Sequence, residues 1–567
     1  MNSRPFNLGQ SLHQAVALQR QGQLREAEKI YGRVLKAAPD NFDALNLLGA
    51  VKLQQGQIGE ARRLLGAAVK ANPRAAGAWC NLGQALHALK RGPEALDCLD
   101  KARVLAPDDV NILHQHANVL VTLARPQEAL AEFQQVMARV PNHVEARLNS
   151  GLAQAMLGFP DRALADFDTA LQFAPGHPGL HYNRGVALIE LCRYAEAVEA
   201  NDRALAIAPQ YASAWLNRGK ALMQLNRLDE AIAGFDEALA MRKDFADAHF
   251  NKALALLTRG DYAHGFAEYQ WRWRRTGMPA QNSRGKPLWL GEYPLARKTV
   301  LLHAEQGLGD TIQFARYARV LAASGTKVVL EVQAELKSLM QRLDGVAAVI
   351  ARGEEAPPFD VHCPLGSLPL ALHTEPGTVP AHIPYLAADA SRLAKWSARL
   401  DALPHPRIAV AWSGNPGHDN DRNRSIAFAG LSALFATSTI PRPLAGQGRV
   451  GASFVSIQRD VRGADAALLA AETRVTHVGG ELDDFSDTAA VLALCDLVIA
   501  VDTAAAHLAG AMGRPVWVLV PFAPDWRWRR DGETTPWYPT ARLFRQTSLG
   551  DWDGVIARAA EELKHFP

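Results

Sequence analysis

The chain is poor in cysteine, in net charge and in long apolar runs. Its five cysteines (Cys80, Cys98, Cys192, Cys363, Cys495) are odd in number and widely scattered, and no Cys-x-x-Cys occurs. Neither a disulfide framework nor a thiolate zinc site is indicated, and a reducing compartment fits best. Lys+Arg less Asp+Glu, 61 − 58, leaves +3 over 567 residues, whereas a dedicated nucleic-acid binder carries a dense basic face. No run of about 18 apolar residues occurs, so no membrane-spanning helix is expected. The opening MNSRPFNLGQSLHQ lacks the apolar core of a signal peptide, and the expected location is cytoplasmic. What is present, 48% hydrophobic and 21% charged residues, is ordinary globular composition with length for about three to four compact units.

The first half is periodic. Prolines stand at 39, 73, 107, 141, 175 and 209, and alanines at 27, 61, 95, 129, 163, 197 and 231, both ladders stepping by 34. Each 34-residue block reads as two amphipathic helices. A small residue (Gly49, Gly83, Ala117, Gly151, Gly185, Gly219, Ala253) lets the first approach its neighbour, the ladder alanine does the same in the second, and the proline stops the second helix. This resembles the tetratricopeptide repeat, of the same period, with about eight copies over residues 7–278. The last block decays into EYQWRWRRTG. It is expected to be either a terminal repeat packed on the next domain, with Trp271 and Trp273 as contacts, or an ordinary end cap.

Two positions before each small residue stand Leu47, Asn81, Gln115, Asn149, Asn183, Asn217 and Asn251. A primary amide both donates and accepts, so a row of them on a concave solenoid surface can grip the backbone of an extended peptide. The O-linked N-acetylglucosamine transferases carry a similar asparagine ladder. The alternative is that each amide bonds its own or the next repeat.

After residue 278 the period stops. Residues 279–297 read as a linker. Strands at 299–304 and 327–332 flank a helix at 310–324, and a second series follows at 407–413, 452–458, 496–502 and 515–521. Alternating strands and helices predict parallel sheets: two Rossmann-like α/β halves, 298–395 and 405–550, then a terminal helix over 551–567. The segment STIPRPLAGQGRVGA reads as a loop insertion. The fold class is therefore an α-helical solenoid followed by α/β.

Three polar constellations stand at predicted strand ends, where open α/β sheets take ligands. In AEQGLGDTIQF, Gly307 and Gly309 join strand to helix, and Asp310 either caps that helix or faces a ligand. This is not a full GxGxxG, and no nicotinamide cofactor is inferred. In VDTAAAHLAGAMGRP, Asp502 ends a strand, Thr503 opens a helix, Ala504 leaves room for a ligand and His507 shares the face of Thr503; free N–H groups and the positive helix end suit a diphosphate. In WSGNPGHDNDRNRSI, Arg422 and Arg424 suit phosphate oxygens, and Gln458 ends a neighbouring strand. The tail DWRWRRDGETTPWYPTARLFRQ either closes over a ligand or packs between the halves.

GLGD after the opening strand and VDTAAAHLAGAMGRP after a late one resemble the heptosyltransferase-like, family 9-like glycosyltransferases of the two-Rossmann (GT-B) class, over roughly residues 298–545. The resemblance implies a nucleotide-diphosphate sugar as co-substrate, no other cofactor and no metal. It makes Asp310 the base of an inverting transfer, and places the donor diphosphate at Asp502, Thr503 and His507, with Arg424 standing where the family often has lysine. Thr-Ala replaces the Thr-Gly that follows the aspartate in the lipopolysaccharide enzymes. The expected protein is a transferase whose solenoid presents a protein acceptor on Asn81, Gln115, Asn149, Asn183, Asn217 and Asn251. The alternatives are a glycan or lipid-linked saccharide acceptor, or a non-catalytic scaffold.

Overall fold

The computed structural model describes residues 7–275, 284–418, 420–436 and 451–566. The chain forms two compact units, Met1–Asn217 and Arg218–Pro567, so the division falls inside the repeat array. The expected loop insertion lies almost wholly outside the described residues.

The first unit is a stack of helix pairs. Leu8–Arg20 pairs with Leu24–Ala37, Phe42–Gln54 with Ile58–Ala71, Ala76–Ala88 with Gly92–Leu105, and Val110–Thr122 with Pro126–Arg139. Val144–Met156 then pairs with Pro160–Phe173, and Pro178–Glu190 with Tyr194–Ile207. Every second helix ends two residues before a ladder proline, which supplies no N–H to continue it. The ladder alanines are fully buried. A Cβ at Gly49, Gly83 or Gly151 would strike Leu65, Leu99 or Phe167 of the paired helix. Asn41 and Asp109 cap first helices by accepting from the N–H of Ala44 (2.9 Å) and Ile112 (3.0 Å). A further device recurs. Trp79, Arg147, His181 and Trp215 each donate to the carbonyl of the proline six residues earlier, at 2.8 to 3.1 Å, pinning each helix to the turn before it.

The second unit opens with the end of the array: Leu228–Met241, Ala246–Arg259, Tyr262–Glu268 and a 3₁₀ turn at Tyr269–Arg274. The described part of the expected linker is packed rather than loose. Trp289 and Leu295 are buried, and Trp289 N–H donates to His362 O at 2.9 Å.

A four-stranded parallel sheet follows, built from β1 (Thr299–His303), β2 (Lys327–Val332), β3 (Val346–Ala351) and β4 (Val361–Pro364) in the order β3-β2-β1-β4. The expected helix at 310–324 is two, Leu308–Phe314 and Tyr317–Ala323. Residues beyond 384 already belong with the rear half: Tyr385 N–H donates to Ala511 O (3.0 Å), and Trp396 of helix Ala390–Leu400 donates to Asp487 (2.8 Å).

The rear sheet holds β5 (Arg407–Ala411), β6 (Ser453–Ser456), β7 (Val475–His477), β8 (Leu497–Val501), β9 (Val516–Val520) and β10 (Ala541–Arg545), all parallel, ordered β10-β9-β8-β5-β6-β7. Read from β7, this is the doubly wound 3-2-1-4-5-6 order, whose direction reverses between β5 and β8. The front sheet reverses between β1 and β4. The chain closes with the helix Trp552–Leu563.

Candidate active site

The strand-end residues at the two reversal points meet. Helix Leu308–Phe314 of the front half lies against helix Ala504–Ala511 of the rear half, and Gly309 makes the approach possible, since a Cβ there would come within 2.7 Å of His507 Cδ2. Asp310 occupies the third helical position rather than the cap. Its Oδ2 accepts from Gly307 N–H (2.9 Å), and its Oδ1 accepts from the Arg527 guanidinium. Its side chain keeps 24% exposure while tethered at both oxygens.

In the rear half Thr503 caps helix Ala504–Ala511 and is partly exposed, but its hydroxyl oxygen is shielded and has no partner. Arg424 donates to Asp502 O (3.1 Å); its Nε, 3.9 Å from Asp421 Oδ1, and the Ser413 hydroxyl are buried without hydrogen-bond partners. Three polar groups thus stand without hydrogen-bond partners around the β5/β8 reversal. Asp502 faces His507 at 3.7 Å, and the other ring nitrogen of His507 contacts Tyr538 OH at 2.9 Å. Trp528 stacks on the same imidazole. Burial alone raises the Asp502 carboxyl, but His507, Arg424 and Trp528 together carry it down to about 2. Asp502 and Tyr538 thereby flank the two nitrogens of the His507 ring.

Two sets of expected residues sit differently. Gln458 spends its amide on the main chain: it accepts from Trp412 and Ser413 N–H and donates to Ser413 and Asp460 carbonyls. That is the full capacity of a primary amide, so Gln458 shapes the loop after β5 and has no group left for a ligand. In the repeats, Asn81 and Asn149 donate to Asn46 (3.1 Å) and Asn118 (2.8 Å) of the preceding repeat. Asn183 and Asn251 donate to Gly179 O (2.9 Å) and Asp247 O (2.7 Å) of their own helices. These four amide groups serve the repeats, and Asn217 is buried.

The sequence reading did not single out Arg527, Trp528 or Tyr538; the only signal was the Trp/Arg-rich run that contains them. That tail bridges to the front half. Arg527 binds Asp310, Asp525 and Gln313; burial works against its charge, but Asp525 and Asp310 more than compensate and raise its pKa. Trp537 accepts Arg316 at its carbonyl (2.8 Å) and donates to Tyr262 OH (3.0 Å) of the terminal repeat. Terminal-repeat packing therefore runs through Tyr262, Phe266 and Tyr269. Trp271 instead stacks on His249 within the repeat, its rings 3.8 Å apart, and Trp273 lies under Arg272.

Among the described residues no cluster of three or more His, Cys, Asp or Glu is placed to hold a metal, and no helix is long and apolar enough to cross a membrane. Tetratricopeptide-repeat models match residues 18–75, 51–110, 114–178, 157–212 and 219–260. A model of glycosyltransferase family 9 (heptosyltransferase) matches residues 454–545. The chain carries tetratricopeptide repeats and a glycosyltransferase family 9 domain. The family 9 match takes in Asp502–His507 and Arg527–Tyr538; the front sheet with Asp310 lies outside it. Protein FlbA of Caulobacter vibrioides is 28% identical over 301 residues, 49% of this chain and 48% of that protein. The chain thus spans about half the length of this curated relative. A tetratricopeptide repeat protein from Parabacteroides merdae is 18% identical, covering 44% of this chain and 98% of its own, at a TM-score of 0.36. A thermophilic TPR protein of Thermus thermophilus is 26% identical, covering 32% and 100%, at a TM-score of 0.29.

Proposed function

We propose that the chain is a metal-independent, inverting glycosyltransferase of the two-Rossmann (GT-B) kind that transfers a sugar from a nucleotide-diphosphate donor to a hydroxyl of a protein acceptor. The observation that supports this reading is the packing of helix Leu308–Phe314, which bears Asp310, against helix Ala504–Ala511, with Gly309 beside His507. The donor diphosphate rests on the N–H groups opening helix Ala504–Ala511, where the helix field favours negative charge, with Thr503, Ser413 and Arg424 as further donors. His507, held by Asp502 and Tyr538, completes the wall. An acceptor hydroxyl attacks the anomeric carbon from the side opposite the diphosphate. Asp310 takes its proton as the bond forms, and the seat stabilises the charge growing on the leaving group. Inversion follows from a single displacement.

The repeats favour a protein acceptor, because arrays of this kind offer long binding surfaces. With four of the ladder amides donating inside the repeats and Asn217 buried, peptide recognition rests on the acceptor oxygens of Asn81, Asn149, Asn183 and Asn251 and on Gln115. Screening nucleotide sugars by thermal shift finds the donor, since a ligand of the native state raises the melting temperature by mass action. With that donor, Asp310→Asn is expected to cut turnover about 10²–10⁴-fold, the range of a lost general base, and to leave donor affinity within a few-fold. Undiminished turnover in Asp310→Asn rejects the base assignment; silence across the donor panel favours a scaffold.

A further inference from the structure

The reversal point of the front sheet, between the carboxyl ends of β1 and β4, is the crevice in which an open α/β sheet receives a ligand. Here it receives the protein's own terminal repeat. Arg272 reaches in from the 3₁₀ turn Tyr269–Arg274, and its Nη2 donates to both oxygens of Glu305 (2.8 and 2.9 Å) and to Ser367 Oγ (2.7 Å). Its Nε reaches Glu305 at 3.3 Å and its Nη1 donates to Tyr269 O at 3.0 Å. Glu305 follows β1 and also accepts from Gly366 N–H (3.1 Å), which follows β4. One guanidinium thereby ties together the two loops that border the crevice. One residue further on, Tyr269 OH and the Gln306 amide are 2.8 Å apart, and the Gln306 carbonyl accepts from Gln333 (2.8 Å). Gln306 adjoins Gly307, whose N–H holds Asp310.

The Arg272 and Glu305 side chains are 3% and 5% exposed. A buried ion pair is a poor way to seal an interface, because desolvation consumes much of its attraction and apolar residues of like volume do as well or better. What it supplies is geometry: a planar fork accepts one orientation of its carboxylate.

We propose that Tyr269 and Arg272 are positioning residues for catalysis, and that the terminal repeat sets the loop 304–307 from which Asp310 is held. This rests on the assignment of Asp310 as the base. Loop and base are then in register only while the terminal repeat is docked, and the end of the solenoid is part of the catalytic apparatus.

The test uses the full-length protein with Tyr269→Phe and Arg272→Lys. The first removes one hydroxyl; the second keeps the charge without the fork, so both are expected to fold. Hydrogen exchange is followed by mass spectrometry in peptides covering 304–310, with the rear-lobe peptide 503–511 as reference. The proposal expects exchange over 304–310 to quicken at least ten-fold while 503–511 stays unchanged. With the donor found by thermal shift, kcat is expected to fall ten-fold or more at unaltered donor KM. Unchanged exchange over 304–310, or equal acceleration in both peptides, overturns it, as does unaltered kcat. If the wild-type protein turns over no nucleotide sugar, the transferase reading fails, and the exchange measurement still decides whether the terminal repeat orders this loop.

Discussion

Gly309 shows how little room the site leaves for error. The residue has ordinary helical geometry, and glycine is required there only because His507 of the facing helix occupies the place of a side chain. Gly309→Ala is expected to lower stability by about 1–3 kcal/mol, the usual cost of overpacking, and to reduce turnover by separating Asp310 from the seat. Thermal melting with parallel turnover assays checks this. His303 gives a second handle. Burial first, then His362 and Arg272, push its pKa from 6.5 to about 3, and it contacts His362 at 3.1 Å. Between these values the unfolded chain takes up a proton that the folded chain refuses, so stability falls on acidification. From pH 6.5 to 5 the expected loss from this group is about 2 kcal/mol. Denaturant melts of wild type and His303→Gln across that range should show a shallower slope in the variant; identical slopes refute it. Asp502 works in the same sense but only in stronger acid: its lowered pKa stabilises the fold above about pH 4, and this is lost towards pH 2.

At the level of elements, the repeat helices were the most readable part of the chain. A period of 34 with a buried alanine, a close-contact glycine and a terminating proline states the packing outright. The side chain that pins four of the first helices to the preceding proline carbonyl was hidden, because tryptophan, arginine and histidine do that work interchangeably and only their donor is shared. Trp215→Phe is expected to cost about 0.5–1.5 kcal/mol, the net worth of one hydrogen bond, measured as a lower melting midpoint. Among strands, β1, β2, β5, β6, β8 and β9 announced themselves as buried apolar runs, while β3, β4, β7 and β10 did not. β3 reads Val-Ala-Ala-Val-Ile-Ala, a composition a helix also takes. β4 and β7 are four and three residues long, too short to show a period. β10 carries Arg542 and Arg545 in its five residues.

At the scale of the whole second unit, strand-end position was enough to bring Asp310, Arg424, Asp502, Thr503 and His507 into one neighbourhood, because parallel sheets put every such loop on one edge. It did not say what each would hold on to. Gln458 stood at a strand end too, yet its amide is taken up by the main chain of the loop after β5. Arg527, which binds Asp310, and Tyr538, which contacts His507, come from the tail, 217 and 31 residues away respectively, through contacts no local pattern encodes. The central claim is that an anion seat at the β5/β8 reversal faces that aspartate. Calorimetric titration with nucleoside diphosphates, comparing wild type with Arg424→Gln and Thr503→Val, tests it most directly. The account predicts that one diphosphate binds the wild type, that its monophosphate binds much more weakly, and that each substitution weakens the diphosphate about ten-fold, or roughly 1.4 kcal/mol. Failure of every nucleoside diphosphate to bind, or equal affinity in all three proteins, would contradict it.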